Sequence, residues 1–255
     1  PPAVMGSHTA IVGKTGGGKT ITAKDLIEQA HAEGANVCIL DPIKSDWWGL
    51  TLDADGKRPG LPFHILGGPM GHVDLHADAG DALGRVVATG ALRHSIIDMA
   101  DFGPGDHNEF YNAFAESLFR HKTKSSGTLY LVLEEAHVFC PKERDGVRGE
   151  NMAVFWTKRL ATAARSKGVR IIATTQRTQA LHNAVLGSCE TVIAHRLTFP
   201  ADQKPVLDWL KASAPVHVVK SVAESLASLK TGESWMCSGE AQVFERMKFP
   251  IGNFI

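Results

Sequence analysis

Short unbroken apolar runs alternate along this chain with longer stretches in which apolar residues recur every three or four positions. Fully apolar runs mark strands buried on both faces of a parallel sheet, and the wider spacing marks helices with one core-facing side. Strands are predicted at residues 8–12, 37–40, 63–66, 95–99, 169–175 and 191–196, and in a run from residue 129 that ends at two acids. Helices are predicted at 20–32, 79–89, 107–121 and 152–165, with a short one about 182–186. Ile21, Leu26, Ile27 and Ala30 are spaced for one face of the first helix, and Phe110, Phe114 and Leu118 for one face of the third. Asp78 is the expected N-cap of the second helix, and Gly168 the stop of the fourth. Residues 202–211 and 215–229 read as mainly helical, and 233–249 as a hairpin turning at Ser238-Gly239-Glu240. Residues 45–60 read as loop, its adjacent Trp47 and Trp48 better placed to pack over a sheet edge than to stack on a base. No repeat or Pro/Ser-rich linker interrupts the pattern, so one α/β domain is expected over 1–255, with the helical segment 201–229 inside it.

Composition changes this picture little. The chain has 255 residues, 44% of them hydrophobic and 21% charged, and 27 basic side chains balance 27 acidic ones. A neutral chain carries no global field for nucleic acid, so any such contact must be local. Cys38, Cys140, Cys189 and Cys237 form no C-x-x-C pair, which suits buried thiols in a reducing compartment and a cytoplasmic location. No run approaches the length of a membrane span, and no signal peptide is visible. The chain starts Pro1-Pro2 without an initiator methionine, as expected if an N-terminal part has been removed or left out.

The chemistry concentrates in two stretches. Gly13-Lys14-Thr15-Gly16-Gly17-Gly18-Lys19-Thr20 fits G-x-x-x-x-G-K-[ST] at every position, between a predicted strand and a predicted helix. In that setting backbone N–H groups curl around a β-phosphate and the helix N-terminus adds partial positive charge. Lys19 is then expected to reach the β- and γ-phosphates of ATP, and Thr20 to hold Mg²⁺ through its hydroxyl. The second stretch, Leu129 to His137, delivers Glu134 and Glu135 at the end of an apolar strand. Glu134 is expected in the magnesium shell through water, and Glu135 as the general base that polarises the attacking water. Asp41, at the end of the 37–40 strand, is open to two readings, ligand contact or turn cap. His72, Asp74, His76 and Asp78 alternate but lack the second half of a metal-ligand pattern. Lys142, Arg144 and Arg148 form a basic set in the polar segment 140–151, with Glu143, Asp145 and Glu150 between them. That segment is read either as a sequence-indifferent contact to DNA phosphates or as an ordinary solvated loop.

The ordered set of motifs resembles the HerA–FtsK superfamily of P-loop motor ATPases, nearest the HerA helicase core. It comprises residues 9–20, Leu40-Asp41-Pro42, 131–137, Ala173-Thr174-Thr175-Gln176-Arg177 and Ile193-Ala194-His195-Arg196-Leu197, with the hairpin around Gly232-Glu233. The resemblance implies a RecA-like, mostly parallel sheet with helices on both faces. It implies a homohexameric ring that moves double-stranded DNA at the expense of ATP, with a nuclease or another protein as possible partner. HerA proteins carry a β-barrel before the phosphate loop, and only a few residues precede it here. Gln176 matches the position that senses the γ-phosphate. Arg165 resembles an arginine finger reaching a neighbour's ATP, the other reading being a pairing with carbonyls of its own helix end. A conjugation- or secretion-type motor of the same superfamily and a slow nucleotide-gated assembly switch are the alternatives. The signature of ABC transport ATPases is absent, and the chain is too short for the second lobe of a two-lobed helicase.

Overall fold

The computed structural model describes residues 6–249, 253 and 254. Strands β1 (Thr9–Val12), β2 (Asn36–Asp41), β3 (His64–Leu66), β4 (His94–Asp98), β5 (Leu129–Leu133), β6 (Val169–Thr175) and β7 (Thr191–Ala194) lie parallel, and β8 (Glu233–Ser238) and β9 (Val243–Lys248) add an antiparallel hairpin. The order across the sheet is β3-β4-β2-β5-β6-β1-β7-β8-β9. The mostly parallel sheet with its C-terminal hairpin is as the sequence predicts.

Because strand side chains alternate, each central strand feeds two cores. Val37, Ile39, Tyr130, Val132 and Ile172 point to the face covered by helix α1 (Lys19–Ala32). Cys38, Leu40, Leu129, Leu131, Leu133 and Ile171 point to the other, under α2 (Gly80–Thr89), α3 (Pro104–His121) and α4 (Glu150–Ala163). Beyond them Ala10, Val12, Val192 and Ala194 pack under α5 (Asn183–Gly187), α6 (Pro200–Ser213) and α7 (Val216–Ser225). Helices on both faces leave the C-terminal ends of the parallel strands as the open rim on which ligands of such sheets bind.

Several local expectations change. Ile21 is 37% exposed, and the buried face of α1 runs through Thr22, Ala23, Leu26, Ile27 and Ala30. Asp78 does not cap α2; it lies in a 3₁₀ turn, Ala77–Ala79, and makes no capping hydrogen bond. The position of α2 is set instead by close packing on α3. A Cβ at Gly80 would lie 2.3 Å from the Phe110 carbonyl oxygen, and one at Gly84 2.4 Å from that of Phe114. Residues 45–60 are not all loop: Trp47–Thr51 form a 3₁₀ turn, with Trp47 buried in the α1-side core and Trp48 packed at its edge. All four cysteines are buried free thiols. Among the described residues no helix is long and apolar enough to cross a membrane.

Candidate nucleotide site

The loop 13–18 leaves β1 at the rim and is held from below. Gly13 N donates to Thr175 O at 3.2 Å, Lys14 N to Arg196 O at 2.9 Å, and Gly232 N to Gly17 O at 3.1 Å. β6, β7 and the entry to β8 therefore all fix its backbone. His195 lies directly beneath, fully buried; a Cβ on Gly13 would meet His195 Cβ at 2.6 Å. The imidazole donates from Nδ1 to Glu233 O at 3.1 Å, which leaves Nε2, 2.9 Å from Thr22 Oγ1, to accept that hydroxyl's proton. Burial pushes the His195 pKa down to about 4, so the ring is a neutral strut at ordinary pH. It also explains why β7, predicted to run to residue 196, ends at Ala194: His195 turns under the loop.

Lys19 and Thr20 open α1. The Lys19 side chain folds back so that Nζ donates to Lys14 O at 3.3 Å, and burial, opposed by the charge of Glu135, lowers its pKa. Thr20 is half-buried on the first turn.

β5 ends at Leu133, and the two acids sit in the turn that follows. Glu134 is 2% exposed and Glu135 0%. Thr174 on β6 ties both: its hydroxyl donates to Glu134 Oε2 at 2.5 Å and accepts from Glu135 N at 3.2 Å. Glu135 has φ 45°, a left-handed backbone that costs a non-glycine residue ~1–3 kcal/mol and is held by its surroundings. Its Oε2 accepts from Gln176 N at 3.2 Å and lies 3.4 Å from His137 Nδ1. Gln176 in turn accepts on Oε1 from the hydroxyl of Thr15 in the phosphate loop. The loop, Gln176 and the acid pair thus meet at one rim, as the motifs predict.

Sequence reasoning missed Lys44. Its Nζ lies 2.6 Å from Glu134 Oε1 and 3.0 Å from Glu135 Oε1. Burial alone would lower its pKa, but the charges and hydrogen bonds of the two glutamates outweigh that and raise it. Asp41 caps the turn: its Oδ1 accepts from Ile43 N at 3.1 Å and Lys44 N at 2.9 Å, which aims Lys44 at the acids. Burial pushes the Asp41 pKa up to about 6. The signal available in the sequence was a lysine three residues past an aspartate that ends a strand, too common to single out.

Two sets of predicted residues lie elsewhere. Arg165 sits in a 3₁₀ turn just before β6, at the N-terminal end of the parallel strands, opposite the rim that carries the phosphate loop. It is ion-paired to Glu190 and reaches Glu240 at 3.8 Å, so it does not pair with its own helix carbonyls. Lys142, Arg144 and Arg148 lie exposed on the loop after β5, which ends two residues earlier than predicted because α4 starts at Glu150. The loop backbone is pinned: Lys142 N donates to Ala180 O at 2.7 Å, Gly146 N to the Glu150 carboxylate at 3.0 Å, and Asn108 to Arg148 O at 3.0 Å. Between this loop and the turn after β4 opens a cavity of about 580 Å³, bordered by His107, His137, Lys142 and Arg177.

A parallel sheet whose first strand delivers a phosphate loop, one strand away from a strand that ends at two buried acids, has the build of a P-loop NTPase. The family model for the central domain of the helicase HerA matches residues 2–44. A probable DNA double-strand break repair helicase HerA of Methanocaldococcus jannaschii is 32% identical over 119 residues, covering 47% of this chain and 21% of that protein. The HerA of Saccharolobus solfataricus is 28% identical over 116 residues, covering 44% of this chain and again 21% of the relative. The aligned segment thus spans about a fifth of the length of these relatives. The genome-packaging NTPase B204 of Sulfolobus turreted icosahedral virus 2, in complex with ATP-gammaS, superimposes with TM-score 0.63 at 16% identity, over 96% of this chain and 98% of that one. The bacterial conjugative coupling protein TrwB superimposes with TM-score 0.63 at 11% identity, over 99% and 86%. The chain is thus similar in sequence to HerA helicases over less than half of its length, and shares the fold of P-loop NTPases over nearly all of it.

Proposed function

We propose that this protein is a Mg²⁺-dependent ATPase that works as a ring, a homohexamer, and moves double-stranded DNA in the manner of a HerA-type translocase or helicase. The observation that carries the reading is the closure of one rim. A dry, strained Glu135 is joined through Gln176 to Thr15 of the phosphate loop, so base, sensor and phosphate cradle form one hydrogen-bonded unit.

In this reading the N–H groups of 13–18 hold the β-phosphate, and Lys19 leaves Lys14 O to meet the β- and γ-phosphates. Thr20 and Glu134 would hold Mg²⁺, the latter through water. Both present hard oxygens, as that ion takes, and the acid pair already binds a cation, Lys44. When bound, the ion offsets charge on the β- and γ-phosphates. Glu135 takes the proton of the attacking water, and Gln176 links the state of the γ-phosphate to the turn carrying that base. Arg165 acts on the ATP of the next subunit, and Lys142, Arg144 and Arg148 touch DNA backbone without reading bases. The deciding experiment is ATP turnover with and without duplex DNA, alongside native mass with and without ATP. A several-fold stimulation by duplex and a closed ring mass are expected. Turnover indifferent to DNA would move the protein to a motor on another polymer, and turnover near the uncatalysed rate would make it a nucleotide-gated switch.

A further inference from the structure

Lys44 has no part in the steps above, yet it makes the shortest charge contact in the site. Glu134 and Glu135 are neighbours in a nearly dry pocket, and two buried carboxylates side by side call for a cation between them. The other nearby ammonium, Lys19, hydrogen-bonds to Lys14 O rather than to either acid. Lys44 supplies the balance, at 2.6 Å from Glu134 Oε1 and at 3.0 Å, off the hydrogen-bond axis, from Glu135 Oε1.

The residue is also built to leave. Its side chain is 26% exposed and rides a four-carbon stem. The turn that carries it is held by Asp41 at Ile43 N and Lys44 N, whereas Ile43 points to solvent and Ser45 has φ 54°. A divalent cation held at Glu134 would take the place of the ammonium as the partner of that carboxylate and would repel it.

We propose that Lys44 is a positioning residue, an internal counter-ion that holds Glu134 and Glu135 together until the Mg²⁺ of an incoming nucleotide displaces it. The inference rests on the reading of this rim as a Mg–nucleotide site. It makes the acid pair competent only when the metal has entered: until then Glu135 is clamped between Lys44 and Gln176 N, and afterwards one of its oxygens is free to face water.

The test measures cation affinity rather than turnover. Lys44→Met keeps the length of the side chain and removes its charge; Lys44→Arg keeps the charge. The Mg²⁺ concentration that half-saturates binding of a fluorescent non-hydrolysable ATP analogue is expected to fall about tenfold in Lys44→Met, the scale of one hydrogen bond to a charged group, and to stay near the parent value in Lys44→Arg. Mn²⁺ alone, followed by electron paramagnetic resonance without nucleotide, is expected to bind Lys44→Met about tenfold more tightly than the parent. Should Lys44→Met not fold, Lys44→Gln carries the same expectation, its amide still able to donate to the acids. Unchanged Mg²⁺ and Mn²⁺ midpoints in the neutral variants would overturn the inference. If no form binds the analogue, the nucleotide reading fails on its own, and the Mn²⁺ measurement still judges Lys44.

Discussion

Two cation–carboxylate contacts at opposite ends of the parallel strands use similar groups to different ends. At the phosphate-loop rim Lys44 meets Glu134 and Glu135, which are 2% and 0% exposed. At the other end of the strands Arg165, 43% exposed, meets Glu190, 21% exposed, and more loosely Glu240. Removing one partner of a buried pair leaves an uncompensated charge and costs ~3–5 kcal/mol, whereas an exposed pair is worth ~0–1 kcal/mol. The rim contact therefore yields only to another cation. The Arg165 contact yields to any better acceptor, such as a neighbour's phosphate. In the function proposed above, the first pair would lock the chemistry within one subunit, and the second would hold in reserve a side chain for the neighbouring one.

Arg165→Ala is the sharpest way to break this contrast. It is expected to cut ATP turnover by ~10³-fold or more, as loss of an arginine finger does. Nucleotide affinity is expected to hold, and stability to change by no more than ~1 kcal/mol. Mixing it with Lys19→Ala subunits should restore part of the turnover at mixed interfaces, read by steady-state ATPase against mixing ratio. Turnover at the parent rate in Arg165→Ala would leave Arg165 as a surface ion pair and nothing more.

Next in size is Glu135→Gln. Removing the base should lower turnover ~10²–10⁴-fold while ATP binding persists, measured by single-turnover hydrolysis beside equilibrium binding. Lys19→Ala, by contrast, should lose binding as well. A Glu135→Gln protein that hydrolyses at the parent rate would assign the base elsewhere, and the two glutamates would lose their division of labour.

Stability against pH tests the neutral strut beneath the loop. His8, His107 and His195 are all buried, and burial pushes each down to about 4. Between pH 6.5 and 4 the unfolded chain then binds more protons at these residues than the folded one, so stability is full above 6.5 and falls as pH drops to 4. Each histidine contributes ~3 kcal/mol to that loss. Asp41, pushed up to about 6, has the opposite sign and offsets part of it between about 4 and 6. Denaturant midpoints across this range should fall with pH, and less steeply in His195→Gln, whose amide offers both a donor and an acceptor. An equal slope in parent and variant would mean that His195 does not titrate on unfolding.

These contacts also mark how far the sequence could be read. The strands, the phosphate loop and the acid pair were legible because each is local: an unbroken apolar run, a fixed glycine spacing, a strand that stops at charge. Gln176 was placed by the order of motifs, since its link to Thr15 joins residues far apart in sequence. The role of Lys44 was not legible, nor were those of His195 and Gly232, although both lie in motifs of the ordered set, because their meaning lies in which strands are neighbours: β2 beside β5 brings Lys44 to the acids, and β7 beside β1 brings His195 under Gly13. Asp78 failed as a cap for a similar reason, the start of α2 being set by contact with α3. Ile21 matched a helical period but fell on the first turn, where α1 faces the rim rather than the core.

The smallest expected effect concerns the loop after β5. Its backbone is pinned to α3, α4 and the turn before α5, so Lys142, Arg144 and Arg148 project from a fixed base. Arg148 approaches Glu109 only at 3.9 Å and is otherwise exposed, which leaves it free to meet a phosphate. Glu143 and Asp145 between these cations dilute the local field, so each cation acts weakly and additively rather than as part of a strong patch. Replacing all three with alanine should weaken binding to every duplex sequence alike. The slope of log affinity against log salt should flatten by ~0.9 for each DNA phosphate that an engaged subunit no longer neutralises. Basal ATPase should remain, because none of the three approaches the phosphate loop, while stimulation by DNA should fall. A triple variant with the parent's salt slope would move the DNA path off this loop, and Lys158 and Arg159 on α4 would be the next pair to replace.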